Sequence, residues 1–249
     1  MNKVQTFRRV TVPRAAAGKV GEIRIDGPIV NDSAQAGETS AASFWTALQA
    51  LGKIDRLLLH VNSLGGELAP ALAIYRMIGE HSAAEKVARI SSVAASAATI
   101  IAAACTVEMY PGAQMLIHFT ADMPDRYMTA TDHEQAAEDC RSWDESMITI
   151  YAEKTGKSRE EIRAQMESGA WMDTSACMAF GLCDRVLTGP AVTASIDGRC
   201  AFAWTIGGKR FDFTGFKSLP TGMLARSDDR EFCSIVAAAR KNSLRMWRR

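Results

Sequence analysis

Two side chains in this sequence, Ser96 and His118, have the types and the order that a base-assisted nucleophile requires. A serine hydroxyl attacks poorly at neutral pH. It needs an imidazole within roughly 3 Å to accept its proton, and N–H donors aimed at the oxygen that becomes negative. Ser96 stands at the entrance of an apolar helical segment, Ala97 to Ala104, where free N–H groups and the helix dipole favour developing negative charge. Ala94, Ala95, Ala97 and Ala98 surround it with side chains small enough for a peptide backbone to approach. His118 ends the apolar run Met115-Leu116-Ile117, after a turn at Pro111-Gly112. Upstream, Gly65-Gly66 can turn backbone N–H groups toward an anion, because neither residue has a side chain in the way. Gly66 and Ala97, the residue after the serine, are therefore the expected oxyanion donors, with Gly65 completing the substrate-facing turn. Taken singly, the paired glycines also read as a plain turn, Ser96 as a helix cap and His118 as a structural histidine.

The elements around these residues must bring them to one place. Gly21 to Ile25 reads as a short strand leaving through Asp26-Gly27-Pro28, and Ser40 caps a helix to about Gly52 with Phe44, Leu48 and Leu51 on its apolar side. Arg56 to Asn62 is an apolar run ending in the glycine turn, and a helix follows from about Leu68 to His81. That order is a buried strand of a parallel or mixed sheet, with a crevice beyond its carboxyl end. Val87 to Ala104 repeats it, beginning with a short extended segment from Val87 to Ile90 and passing through tiny residues to Ser96. The longest helix is expected from Asp132 to about Thr155, with Cys140, Trp143, Met147, Ile150 and Tyr151 on its apolar side; it exceeds what a compact crossover needs and projects. Gly156 stops it, and Ser158 with Glu161 forms a capping-box signature for a helix to Glu167. A short helix from Thr174 to Phe180 ends at Gly181, and Gly189-Pro190 marks a boundary. Beyond it, Ala201 to Thr205 and Arg210 to Phe213 flank Gly207-Gly208 as a hairpin, and Asp229 to Trp247 is amphipathic. The expected organisation is an α/β fold: an N-terminal arm over 1–18, one main domain over 19–189, and a C-terminal extension over 190–249.

Composition narrows the function classes. The chain has 249 residues and a formal net charge of +1, so it is not a nucleic-acid binder by charge. Basic residues at the two ends read as solvated termini. Six widely spaced cysteines without a CxxC pair suit buried thiols in a reducing compartment, and the four histidines form no metal motif. The most apolar stretch, Val93 to Ala104, is shorter than a membrane-spanning helix. The expectation is a cytoplasmic protein with no metal and no cofactor.

The ordered motifs resemble the Clp protease proteolytic subunit family, serine peptidases of the crotonase-like fold, and within it the phage and prophage head-maturation branch. The family's Asn-Ser-Pro-Gly-Gly turn is here Asn62-Ser63-Leu64-Gly65-Gly66, and its nucleophile motif is Val93-Ala94-Ala95-Ser96. Its Met-Ile-His base motif is Leu116-Ile117-His118. A Trp-x-Thr-Ala pattern ending in Gly-Leu-x-Asp is matched by Trp171, Ala176, Ala179, Gly181, Leu182 and Asp184. The resemblance covers about Gly21 to Thr188. It implies repeated β-β-α units with a projecting handle helix, an acyl-enzyme on Ser96, and His118 as base. It also implies an extended polypeptide substrate bound by strand addition, with capsid or scaffold protein as the phage-branch target, and assembly into a heptameric ring or stacked rings. Any ATP dependence would belong to a partner.

Three positions depart from the family. Leu64 replaces a proline and Val93 a glycine, and the orienting acid falls on Gly169 or Ala170. Glu167 is the nearest substitute and Asp173 the next, although the first also reads as a solvated helix end and the second as a helix cap. The departure motivates an alternative, a weak or inactive ring-forming homologue. An acyl-CoA enzyme of the crotonase type is a third reading, carried by fold alone.

Overall fold

The computed structural model describes residues 18–32, 37–122, 124, 127–192, 194–197, 200–206 and 208–224. The arm before residue 18 and the amphipathic segment expected over 229–247 lie outside the described residues.

The chain opens with β1 (Val20–Asp26), α1 (Ala41–Ala50), β2 (Arg56–Ser63) and α2 (Leu68–Glu80). It continues through β3 (Glu85–Ala95), α3 (Ala97–Ala103), β4 (Thr106–Met109) and β5 (Gln114–Leu116). Strands β1, β2, β3 and β4 pair in parallel in that order. Leu57, Leu58 and Leu59 are all buried, as expected where helices cover both faces of a parallel sheet and alternation disappears. The fold is an α/β arrangement of alternating strand and helix units.

The expected extended segment from Val87 to Ile90 proves to be the first part of β3, whose eleven residues reach Ala95. Residues 87–90 pair with β4 and residues 93–95 with β5, so the small side chains gain a second ladder partner. Tertiary pairing here overrides the weak strand preference of alanine. Opposite this change of partner, β2 shifts register between Val61 and Ser63, and the Ser92 hydroxyl bonds the Asn62 side chain.

The second half begins with α4 (Ala130–Thr155), entered through a capping box between Thr129 and Asp132 and closed by Gly156 in the left-handed region. Only its C-terminal half is buried, through Asp144, Met147, Ile148, Ile150 and Tyr151. Residues 130–143 include no buried side chain. Next come α5 (Arg159–Ser168), β6 (Met172–Asp173), α6 (Thr174–Phe180) and β7 (Arg185–Val186). The buried Glu108 carboxylate holds Arg89 of β3 at 2.8 Å and Arg185 of β7 at 2.7 Å, tying three strands together. No described helix is long and apolar enough to cross a membrane.

A second, antiparallel sheet follows: β8 (Ala194–Asp197), β9 (Cys200–Ile206) and β10 (Lys209–Asp212). Its core of Trp204, Ile206, Phe211, Phe213, Leu219 and Met223 closes around Val93 of β3, with Leu64 and Trp171 packed against it. Val192 N–H donates to the Pro111 carbonyl at 2.8 Å, and the Lys209 ammonium lies 3.0 Å from the Asp26 carboxylate. Asp26 ends β1, Leu64 follows β2 and Val93 lies near the end of β3, so this sheet is seated at the carboxyl edge of the parallel sheet. That edge is where open α/β sheets place their ligands. Trp204→Ala should cost about 3–5 kcal/mol, and hydrogen exchange should rise first in β9 and β10. Unchanged protection there would mean that the sheet is not held by this core.

Candidate active site

Ser96 has φ 54° and ψ −130°, and among the described residues it is the one non-glycine with a positive φ. Its backbone is held on both sides. The Ser96 N–H donates to the Leu116 carbonyl of β5 at 2.9 Å, and its own carbonyl accepts from Thr99 N–H at 2.9 Å and from the Thr99 hydroxyl at 2.6 Å. Thr99 Oγ1 in turn lies 2.6 Å from the hydroxyl of Tyr151 on α4. Burial pushes the Tyr151 phenol up, so it stays protonated and can keep this bond. Ser96 occupies the N-cap position of α3, yet its side chain makes no capping hydrogen bond. The cap reading holds for its position but not for its side chain, and the strained backbone is one an ordinary cap does not need.

The glycine turn packs directly against this corner. A Cβ on Gly65 would lie 2.8 Å from Ser96 Cβ and 2.9 Å from Ala97 N, and Gly65 also has φ 95°. Its N–H is already satisfied, donating to Ser63 Oγ at 3.0 Å, while that hydroxyl donates to the Gly27 carbonyl at 2.5 Å. The Gly65 carbonyl accepts from Ile29 N–H at 2.9 Å, and Glu67 N–H donates to the Ile29 carbonyl at 2.8 Å. Successive residues of an extended chain face opposite edges. Gly66, between the two bonded groups, therefore turns its N–H away from Ile29. Gly65 thus packs against Ser96 and Ala97 at one corner, and Gly66 beside it packs against Ile29.

His118 lies two residues beyond Leu116, which pairs with Ala95, so serine and histidine leave the sheet at the same edge. The imidazole borders a cavity of about 110 Å³ lined by Leu116, Phe119, Gly169, Phe216 and Lys217 among others. Burial pushes its pKa below the ordinary histidine value, and the Lys217 ammonium acts in the same direction. The Asp144 carboxylate and a backbone hydrogen bond at Phe119 oppose that shift. Asp144 is only 8% exposed, and its Oδ1 accepts from Thr120 N–H at 2.7 Å.

Glu167 is exposed in the last turn of α5, and Asp173 caps α6 by accepting from Ala176 N–H at 2.8 Å. Gly169 is the left-handed C-cap of α5, φ 54°, a position that selects for glycine over an acid. The carboxylate whose charge reaches His118 is Asp144. Sequence reasoning missed Asp144, Phe216 and Lys217. A signal for the first existed: Asp144, Met147, Ile148 and Tyr151 share one helical face, a lone carboxylate inside an apolar stripe. None existed for the other two.

The buried cysteines are poorly disposed as nucleophiles. Burial pushes the Cys105 thiol up to about 12 and the Cys183 thiol up to about 11, and it raises Cys177 as well. Among the described residues no group of three side chains could hold a metal ion.

Comparison with known proteins places this geometry in context. The Clp protease family profile matches residues 19–190. ATP-dependent Clp protease proteolytic subunits are similar in sequence. That of Streptococcus gordonii is 27% identical over 168 residues, covering 66% of this chain and 83% of the relative. A Streptococcus pneumoniae subunit is 26% identical over the same shares. A ClpP1 mutant from Listeria monocytogenes shares the fold with a TM-score of 0.59 at 20% identity, covering 68% of this chain and 92% of that one. The C-terminal sheet, β8 to β10, lies beyond the matched residues.

Proposed function

Because this chain belongs to the Clp protease family, we propose that it is a serine endopeptidase that cleaves polypeptides through an acyl-enzyme on Ser96. The observation that carries this reading is the strained Ser96 backbone pressed against Gly65 in the glycine turn. His118 takes the hydroxyl proton as the serine oxygen attacks the scissile carbonyl, and Gly66 and Ala97 N–H stabilise the resulting oxyanion. The protonated imidazole then gives its proton to the leaving amine, and water repeats the sequence to release the acid. The reaction needs no cofactor. The substrate enters as an extended strand along the Gly66 edge.

The finer reading is a head-maturation protease that trims capsid or scaffold protein in the cytoplasm, working as a homo-oligomeric ring. Its support is the motif order, together with the unburied first half of α4 and the half-exposed Trp143 on it. Gly169 favours the second reading, a weak or inactive ring-forming homologue, because it offers no carboxylate to orient the imidazole.

A fluorophosphonate separates the two. The active enzyme should be labelled at Ser96, located by peptide mass mapping, and labelling should disappear in Ser96→Ala and fall steeply in His118→Ala. Wild-type protein that remains unlabelled in its assembled form would leave the structural reading standing.

A further inference from the structure

The family's orienting carboxylate is replaced by a helix-ending glycine, and the space beside Gly169 is filled from the C-terminal sheet. The Lys217 side chain lies 3.6 Å from where a Gly169 Cβ would be. Ser218 Oγ donates to the Gly169 carbonyl at 2.6 Å, and Trp171 Nε1 donates to the Ser218 carbonyl at 3.0 Å. These bonds staple the loop after β10 to the loop after α5. Between them, Phe216 meets the His118 ring at a centroid distance of 6.0 Å and a tilt of 58°. Phe216 is itself held by Trp171 at 5.6 Å and Phe213 at 6.0 Å.

We propose that Phe216, carried by the loop after β10, is the positioning residue of the His118 imidazole, a role that the family gives to a carboxylate. The proposal rests on the reading of His118 as the general base.

The physical case has two parts. Aromatic rings prefer tilted or edge contacts, and a ring locked in a cluster of other rings gives the imidazole a defined orientation without a hydrogen bond. A general base must also be unprotonated to act, and here burial and the Lys217 cation favour the neutral imidazole. What Phe216 cannot supply is charge for the imidazolium formed in the transition state. Asp144, whose carboxylate acts on His118 in the opposite sense to Lys217, is a buried charge that favours the protonated ring. The seat of this sheet explains two departures from the family motifs: Val93 and Leu64 add apolar surface under the same aromatic cluster.

The test uses full-length protein and two readouts. Phe216→Ala should lower kcat about 100-fold, the cost of a misplaced catalytic group, with KM within about twofold. Phe216→Tyr should recover most of kcat, whereas Phe216→Leu, which fills space without a ring, should not. The second readout is NMR titration of the His118 ring, identified by comparison with His118→Gln. Phe216→Ala should displace that resonance and raise its midpoint as water reaches the ring. Lys217→Met should also raise the midpoint, and Asp144→Asn should lower it. If Phe216→Leu turns over like the wild type, or Phe216→Ala leaves the resonance in place, the assignment is wrong. A rise in kcat on losing Phe216 would also overturn it and make the loop a lid. Should wild-type protein show no turnover and no fluorophosphonate labelling, the peptidase reading fails, while the NMR result still decides whether Phe216 holds the ring.

Discussion

Ser96→Ala should abolish peptide cleavage, and Ser96→Gly should abolish it while making the protein more stable. The loss of rate is expected to be roughly 10⁴-fold or more, because base and oxyanion donors act only through the nucleophile. The opposite sign in stability follows from the backbone. At φ 54° and ψ −130°, Ser96 sits in a region that L residues enter at a cost of about 1–3 kcal/mol. Alanine keeps that strain and glycine removes it. Part of the gain is offset by the greater freedom of glycine in the unfolded chain, about 0.5–1 kcal/mol. A net advantage of about 1 kcal/mol for Ser96→Gly over Ser96→Ala should appear in denaturant unfolding. Such a pairing of lost activity with gained stability marks strain held for function. Full turnover by either variant would remove Ser96 from the mechanism, and equal stability of the two would remove the strain.

Gly65→Ala and Gly66→Ala should damage the fold and the chemistry together. A Cβ on Gly65 would stand 2.6 Å from the Ala95 carbonyl oxygen and 2.8 Å from Ser96 Cβ, and one on Gly66 only 2.1 Å from the Ile29 carbonyl oxygen. The neighbours are mostly backbone, so little can move aside, and φ values of 95° and 142° add strain of their own. Overpacking and backbone strain together give a loss of about 2–5 kcal/mol. The rate should fall further, by about 10²–10³-fold, because either substitution displaces the Gly66 N–H that we propose as an oxyanion donor. Urea unfolding and the rate of fluorophosphonate labelling at Ser96 measure the two effects separately. A Gly65→Ala protein of wild-type stability would show that the turn does not press on the serine corner.

Much of the main domain was legible because its signals are local. The apolar run of β2, the Gly65-Gly66 turn and the helix after it lie consecutively along the chain, and their order is enough to specify a strand, a crevice and a crossover. Gly156 and the Ser158–Glu161 pair marked a helix end and a helix start for the same reason, since capping chemistry spans three or four residues. The course of β3 was less legible. Alanines and serines carry little strand preference, and only the change of partner from β4 to β5 extends the strand to Ala95.

The sequence by itself determined the α/β order and the family, and it nominated Ser96 and His118 as the pair to test. Each of these rests on residue types at short, fixed spacings, which set backbone conformation directly. Only the tertiary structure decided what surrounds the His118 ring. Asp144 comes from α4 and Phe216 and Lys217 from the loop after β10, segments remote in sequence from His118. Their meeting depends on the second core closing over Val93, Leu64 and Trp171. No periodicity encodes such a meeting, because burial of apolar surface has no direction and specifies partners only once whole elements have packed.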